Sequence, residues 1–211
     1  MSVRLAPLAV LFLAGCGPVR TGSGTVTTED RPLSACRGVR VSGQANLTVT
    51  RGDTPALSVT WDDNLLDSVV TEVRDGLLEV SLKSGSYSSR TGLQVAVTLP
   101  ALASAKASGQ ATVVADVGAV ADFTALASGQ SKITLRGTAD RQEFDASGQS
   151  HIDAGGLTGK TAFVSASGQS HIDATGATER VTGTASGQST VEHAAAAADV
   201  PASGQASVRK R

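Results

Sequence analysis

From Ala107 onward the chain repeats one short pattern of small, polar and branched positions. Ser-Gly-Gln begins at Ser108, Ser128, Ser147, Ser167, Ser186 and Ser203, at steps of 20, 19, 20, 19 and 17 residues, and a seventh copy lies apart at Ser42-Gly43-Gln44. The third residue after each Gln is Val113, Ile133, Ile152, Ile172, Val191 and Val208, with Leu47 in the outlying copy. The residue before each Ser is Ala in all six later copies, and the residue after each Gln is only Ala or Ser. Because side chains alternate across a strand, one face carries Ala, Gly, Ala/Ser and Val/Ile, and the other carries Ser, Gln and two variable positions. The first face is small and dry; the second is polar.

A repeat of this length with one strand is too short for a helix pair or a propeller blade. It fits one coil of a parallel β-helix, whose apolar face is buried only by stacking on neighbours about 4.8 Å apart. The Val/Ile column then forms an internal ladder, and Phe123, Phe144 and Phe163 are expected as a second internal stack. A leucine-rich repeat would need a Leu-rich half that these coils lack.

Upstream, alternation of period 2 marks Val39 to Val49, Leu57 to Trp61, Leu77 to Leu82 and Leu93 to Leu99 as strands. Asp62-Asp63-Asn64 reads as a turn and Asp75-Gly76 as a hairpin tip, while Leu65 to Val73 is ambiguous. Arg51-Gly52-Asp53 spells an integrin-ligand tripeptide but is also what a tight turn between strands requires, with Gly free to take positive φ. The expected class is all-β: a parallel β-helix (solenoid) with coils of about 20 residues over 105–211, preceded over 36–104 by irregular, non-repeated strands and hairpins.

At the N-terminus, Arg4 precedes the apolar run Leu5 to Leu13, and the segment ends in Leu13-Ala14-Gly15-Cys16. This resembles the lipobox of bacterial lipoprotein signal peptides, which implies removal of 1–15 and lipidation at Cys16. The run is too short to span a bilayer as a helix. No Asp follows Cys16, so outer-membrane anchoring is expected where two membranes exist. Residues 16–35, rich in Thr, Gly and Ser, are expected to be a flexible tether, leaving 36–211 as a single folded domain.

Removing 1–15 takes Arg4 with it and moves the net charge from -1 to -2. Such a chain has no electrostatic case for nucleic acid. After Cys16, Cys36 has no intrachain partner and is expected as a semi-buried reduced thiol. With only Trp61, Tyr87 and three Phe downstream, against 23 Gly, the chain suits a thin wall better than a thick core or an aromatic stacking platform.

The order of Val39-Arg40-Val41-Ser42-Gly43, Val49-Thr50-Arg51-Gly52-Asp53, Asp63-Asn64-Leu65-Leu66, Gly76-Leu77-Leu78-Glu79-Val80, Val95-Ala96-Val97-Thr98-Leu99-Pro100 and Ala107-Ser108-Gly109 resembles the bacterial autotransporter adhesin "head GIN" domain. The resemblance covers about Cys36 to the end. It implies an exported β-helical domain, often on a lipoprotein.

Chemistry is sparse. Ser150-His151-Asp153 and Ser170-His171-Asp173 contain the letters of a catalytic triad, but on a strand each Ser points away from its His. The metal reading stacks His151 over His171 and Asp153 over Asp173; a flat array is a poor cage, so these are weak candidates and no metal or cofactor is expected. Gln110, Gln130, Gln149, Gln169, Gln188 and Gln205 offer a stacked amide ladder. Either that ladder faces solvent as a binding surface, or Ser-Gly-Gln only makes the corner of each coil, which the Gly favours.

The expected function is a non-catalytic envelope lipoprotein, held to the membrane by its N-terminal lipid, that binds a protein, a polysaccharide or a copy of itself through an exposed face. The alternatives are a structural, periplasmic lipoprotein without external ligand and a polysaccharide-acting β-helix enzyme. The basic end Arg209-Lys210-Arg211 is expected to discourage end-to-end stacking, unless that end is buried in an oligomer.

Overall fold

Most of the described backbone of this chain is strand. The computed structural model describes residues 18–211; Cys16 and the signal-like segment lie outside them. The first strands are β1 (Val19–Thr21), β2 (Val26–Arg31), β3 (Gly38–Gly43), β4 (Ala45–Arg51) and β5 (Ala56–Asp62). A single 3-10 turn, Leu66–Ser68, precedes β6 (Val69–Arg74), β7 (Leu77–Leu82), β8 (Ser86–Ser88), β9 (Leu93–Leu99) and β10 (Ser104–Gly109). The repeats follow as β11 (Thr112–Ala127), β12 (Lys132–Ala146), β13 (His151–Ala166), β14 (His171–Ala174), β15 (Ala177–Ala185), β16 (Thr190–His193), β17 (Ala197–Asp199) and β18 (Ser207–Lys210). Among the described residues no helix is long and apolar enough to cross a membrane.

Sixteen of the strands form one large, mostly parallel sheet with two ladders, and β1 and β8 pair as a separate two-stranded sheet. One ladder runs β6-β7-β3-β10 and on through the last parts of β11, β12 and β13 to β15 and β17. The other runs β2-β5-β9-β4 and on through the first parts of β11, β12 and β13 to β14, β16 and β18. β11 to β13 belong to both ladders because their register shifts midway, between Asp116 and Ala119 in β11 and between Thr134 and Arg136 in β12. Such bulges bend a strand and raise its twist. Each repeat therefore carries two strand legs where the sequence pattern suggests one.

The Val/Ile column forms as expected. Leu47, Val113, Ile133, Ile152, Ile172, Val191 and Val208 pair in strict succession, and all but the half-buried Val208 are essentially solvent-free. Each full burial contributes about 1.5–3 kcal/mol. The outlying Ser42-Gly43-Gln44 copy is the neighbouring rung: β3 pairs with β10 residue for residue, and Leu47 pairs with Val113. The chain leaves this rung, builds β5 to β9, places β7 and β9 on its other side, and returns at β10. β6, β5 and β2 then add antiparallel edges.

Three expectations change. Residues 19–31, expected within the tether, are strands β1 and β2, paired with β8 and β5. β2 lies almost wholly exposed on one edge, so it lacks an apolar stripe to announce it; Thr-rich strand propensity and edge hydrogen bonds hold it. The Phe residues do not stack. Phe123 and Phe144 are buried against Gln142 and against Ala125 and Val164 in different columns, whereas Phe163 is 50 % exposed beside Glu143. Arg51-Gly52-Asp53 ends β4 and begins the turn into β5 as expected, but Gly52 has no positive φ; a Cβ there would lie 2.6 Å from the Thr98 methyl, which would have to shift. As expected, Asp75 and Gly76 take left-handed conformations at the β6–β7 hairpin, and Cys36 is a free, buried thiol.

The split of the Phe residues is testable by denaturant unfolding. Phe144→Ala is expected to cost about 3–5 kcal/mol as a cavity in the wall, whereas Phe163→Ala should change stability by less than about 0.5 kcal/mol. Equal losses at the two positions would restore the internal stack.

Candidate functional site

The most regular surface of the molecule is the edge where the two ladders meet. At each Ser-Gly-Gln the chain turns from one ladder into the other, and every corner glycine has positive φ between 72° and 90°. Corner stacks on corner. A Cβ on Gly168, with φ 74°, would sit 2.7 Å from the Gly148 carbonyl oxygen, so both conformation and space exclude any other residue. The Gln169 amide donates to that same Gly148 oxygen at 2.7 Å, and the Gln130, Gln149, Gln188 and Gln205 amides do likewise on their preceding glycines.

Just inside the corner, the Ala/Ser column explains itself. Ser131, Ser150, Ser170 and Ser189 are buried, and their hydroxyls donate to the carbonyls of Ala107, Ala127, Ala146 and Ala166 at 3.0–3.3 Å. A buried hydroxyl left unpaired would cost about 1–3 kcal/mol. Ser150 and Ser170 therefore point into the wall, away from His151 and His171.

Just outside the corner, the glutamines form one line. The side-chain amide of Gln44 donates to Gln110, and successive donations run Gln110 to Gln130 to Gln149 to Gln169 to Gln188 to Gln205, at 2.9–3.4 Å. All seven residues are exposed. Corner and exposed ladder, set as alternatives by the sequence, coexist, and the outlying Gln44 joins the line. Each amide still has a second N–H and a second lone pair free for a ligand.

On the wall beyond the corner, His151 and His171 stack with centroids 4.5 Å apart and planes 8° from parallel. Asp153 and Asp173 pair in the same register. Burial, then the neighbouring His171 and Lys132, push the His151 pKa below its ordinary value against the opposing pull of Asp153 and Asp173. His171 also faces Glu192, whose carboxylate is held by Arg211. Among the described residues no three His, Cys, Asp or Glu side chains converge on a point that could hold a metal.

One exposed feature escapes sequence reasoning. Phe163 lies over a shallow depression of about 430 Å³ lined also by Arg141, Glu143, Thr161, Arg180 and Thr182. Its signal was present in parity: Phe123 and Phe144 stand five and three residues before the next Ser, and Phe163 stands four before, which places it on the opposite face.

Comparison with known proteins locates this architecture. A family model described as "Putative auto-transporter adhesin, head GIN domain" matches residues 36–197. No curated protein matches the chain. The crystal structure of a putative adhesin from Bacteroides fragilis is similar at 17% identity, covering 91% of this chain and 100% of that one with a TM-score of 0.72. One of a putative adhesin from Parabacteroides merdae, at 15% identity, covers 92% and 99% with a TM-score of 0.55. A putative lipid binding protein from Parabacteroides distasonis, at 20% identity, covers 92% and 100% with a TM-score of 0.52. At these identities the likeness is one of fold.

Two outcomes follow for the corner and the imidazole pair. Gly168→Ala is expected to cost about 2 kcal/mol or more, and Gln169→Ala less than about 1 kcal/mol, by urea unfolding. Because the folded pKa of His151 is lowered, its neutral form contributes stability that is fully present above the unfolded-state pKa near 6.5 and is lost as pH falls from there through the folded value. Melting curves from neutral to mildly acidic pH should fall less for His151→Gln than for the wild type; parallel curves would remove the imidazole from the account.

Proposed function

Since a family model spans 36–197 of this chain, the protein belongs to the head GIN domain family, and we propose that it is a lipid-anchored, exported parallel β-helix acting as a non-catalytic interaction module. Pairing of each repeat with the next, in parallel and in register at offsets of 17–20 residues, supports the β-helical winding. The family's description as an adhesin domain supports an exported or envelope setting. Leu13-Ala14-Gly15-Cys16 supports lipidation at Cys16 and outer-membrane anchoring.

The observation that carries the reading is the unbroken line of seven exposed amides. Its residues sit at successive corners about 4.8 Å apart, and they present donors and acceptors alternately. That periodicity suits an extended, hydrogen-bonding ligand such as a polysaccharide or a peptide strand. The corner glycines and buried serines hold the line rigid, so little ordering entropy remains to oppose binding.

Anchoring has a geometric consequence. With Val19 already in a strand, only Gly17 and Pro18 separate Cys16 from the folded part. At about 3.5 Å per residue, lipidation would hold β1 within about 10 Å of the bilayer. The domain would lie against the membrane and not on a stalk.

Two measurements test this. Cys16→Ser should abolish metabolic labelling with a fatty acid and release the protein from membranes; persistent labelling would remove the anchor. The soluble Cys16→Ser protein should bind one or more of a panel of bacterial polysaccharides and isolated envelopes, and Gln130→Ala/Gln149→Ala/Gln169→Ala should lose at least about tenfold in affinity with little change in melting. Unchanged binding by the triple variant would take the function away from this edge.

A further inference from the structure

The two ends of the sheet complement each other. At one end β18 and β17 are the outermost strands of the two ladders, and at the other end β2 and β6 are. Among the described residues no strand covers the outer edge of any of the four. An open edge presents unpaired backbone groups to another chain. β2 is antiparallel to β5, and β5 to β9, so β2 runs in the same direction as β18. A second copy placed end to end would continue the first ladder in parallel from β18 to β2, and would join β17 to β6 antiparallel, as β7 already joins β6 within one chain.

Side chains at the two ends share columns. Following the pairing along one ladder, Arg209 leads through Glu192, Asp173, Asp153, Thr134, Val114, Thr48, Ala96 and Ser58 to Asp30. Along the other, Asp199 leads through Thr182, Phe163, Glu143, Thr124, Ser104, Gly38 and Leu77 to Arg74. In both ladders the terminal residues are of opposite charge, exposed and on the outer face of the wall.

The wall already uses this arrangement within one chain. Arg40 and Glu79, Asp116 and Arg136, and Asp122 and Arg141 are register partners on adjacent strands, and each pair forms an ion pair. Asp30, Arg209 and Asp199 have no ion pair among the described residues, and Arg74 holds only Glu72 on its own strand.

We infer that the protein associates head to tail with copies of itself, β18 and β17 of one copy seating on β2 and β6 of the next, with Arg209 meeting Asp30 and Asp199 meeting Arg74 across the junction. The contact is heterologous, so it propagates into an open chain of copies. The basic end thus selects its partner edge. Each end carries one charge of each sign, and in the head-to-tail arrangement both columns join opposite charges, which sets the register and polarity of the assembly.

Sedimentation velocity on the soluble Cys16→Ser protein tests the inference. The sedimentation coefficient should rise with protein concentration at low salt and fall toward the monomer value at high salt. Arg209→Asp alone and Asp30→Arg alone should each weaken association by at least about tenfold. The double variant Asp30→Arg/Arg209→Asp, and an equimolar mixture of the two single variants, should both recover it. All four positions are exposed, so circular dichroism should show every variant folded. A wild type that stays monomeric throughout, single variants that associate like the wild type, or a charge swap that restores nothing would each overturn the inference.

Discussion

The structure depends on one close approach: the backbone of each corner lies so near the backbone of the corner before it that a side chain cannot intervene. Glycine with positive φ is the only residue that meets both demands there. Once the corners touch, the rest of the cross-section is constrained. The residue before the corner must be small, the residue after it must be Ala or a Ser whose hydroxyl has a carbonyl within reach, and the next inward position takes the largest side chain that a narrow interior admits. The amide line on the outside is a by-product of the same stacking, since identical residues at identical corners are brought to hydrogen-bonding distance.

How much of this could be read from the chain varies with its regularity. The Ser-Gly-Gln columns and the Val/Ile ladder were visible because each position recurs six times, so a single parity assignment serves every copy. Phe163 was misplaced because the three Phe were compared by their rough position late in each repeat, while their spacing to the next corner differs by one residue and reverses the face. The second strand leg was hidden because the bulges near Val117 and Leu135 break its period-2 pattern. β2 was hidden for a different reason. A strand exposed on both faces has no hydrophobic pattern at all, and only the edge of β5 that it covers explains it.

The amide line also has a sense. Every side-chain bond in it donates from the earlier corner to the later one, so the amide dipoles align instead of cancelling. A ligand lying along the edge would meet free acceptor character at Gln44 and free donor character at Gln205, and its two orientations would not be equivalent. The stacked imidazoles, the Asp153 and Asp173 pair and the Phe163 depression lie elsewhere on the wall. They give different stretches of an otherwise repetitive surface distinct chemistry.

The placement of the outlying corner bears on how the chain acquires its fold. A simple repeat array can grow from any point, because each unit contacts only units about twenty residues away. The C-terminal repeats here have that property, and their loop-closure cost is correspondingly small. The β3–β4 rung does not. It is made early in the chain, yet its neighbours on one side are β7 and β9 and on the other β10 and β11, so it has no parallel partner until residues well beyond it exist. During synthesis this rung must wait, and the long-range closure of β3 and β4 between their later neighbours costs more loop entropy than pairing one C-terminal repeat with the next. A rung made early in the chain is thus completed only once β11 has been added.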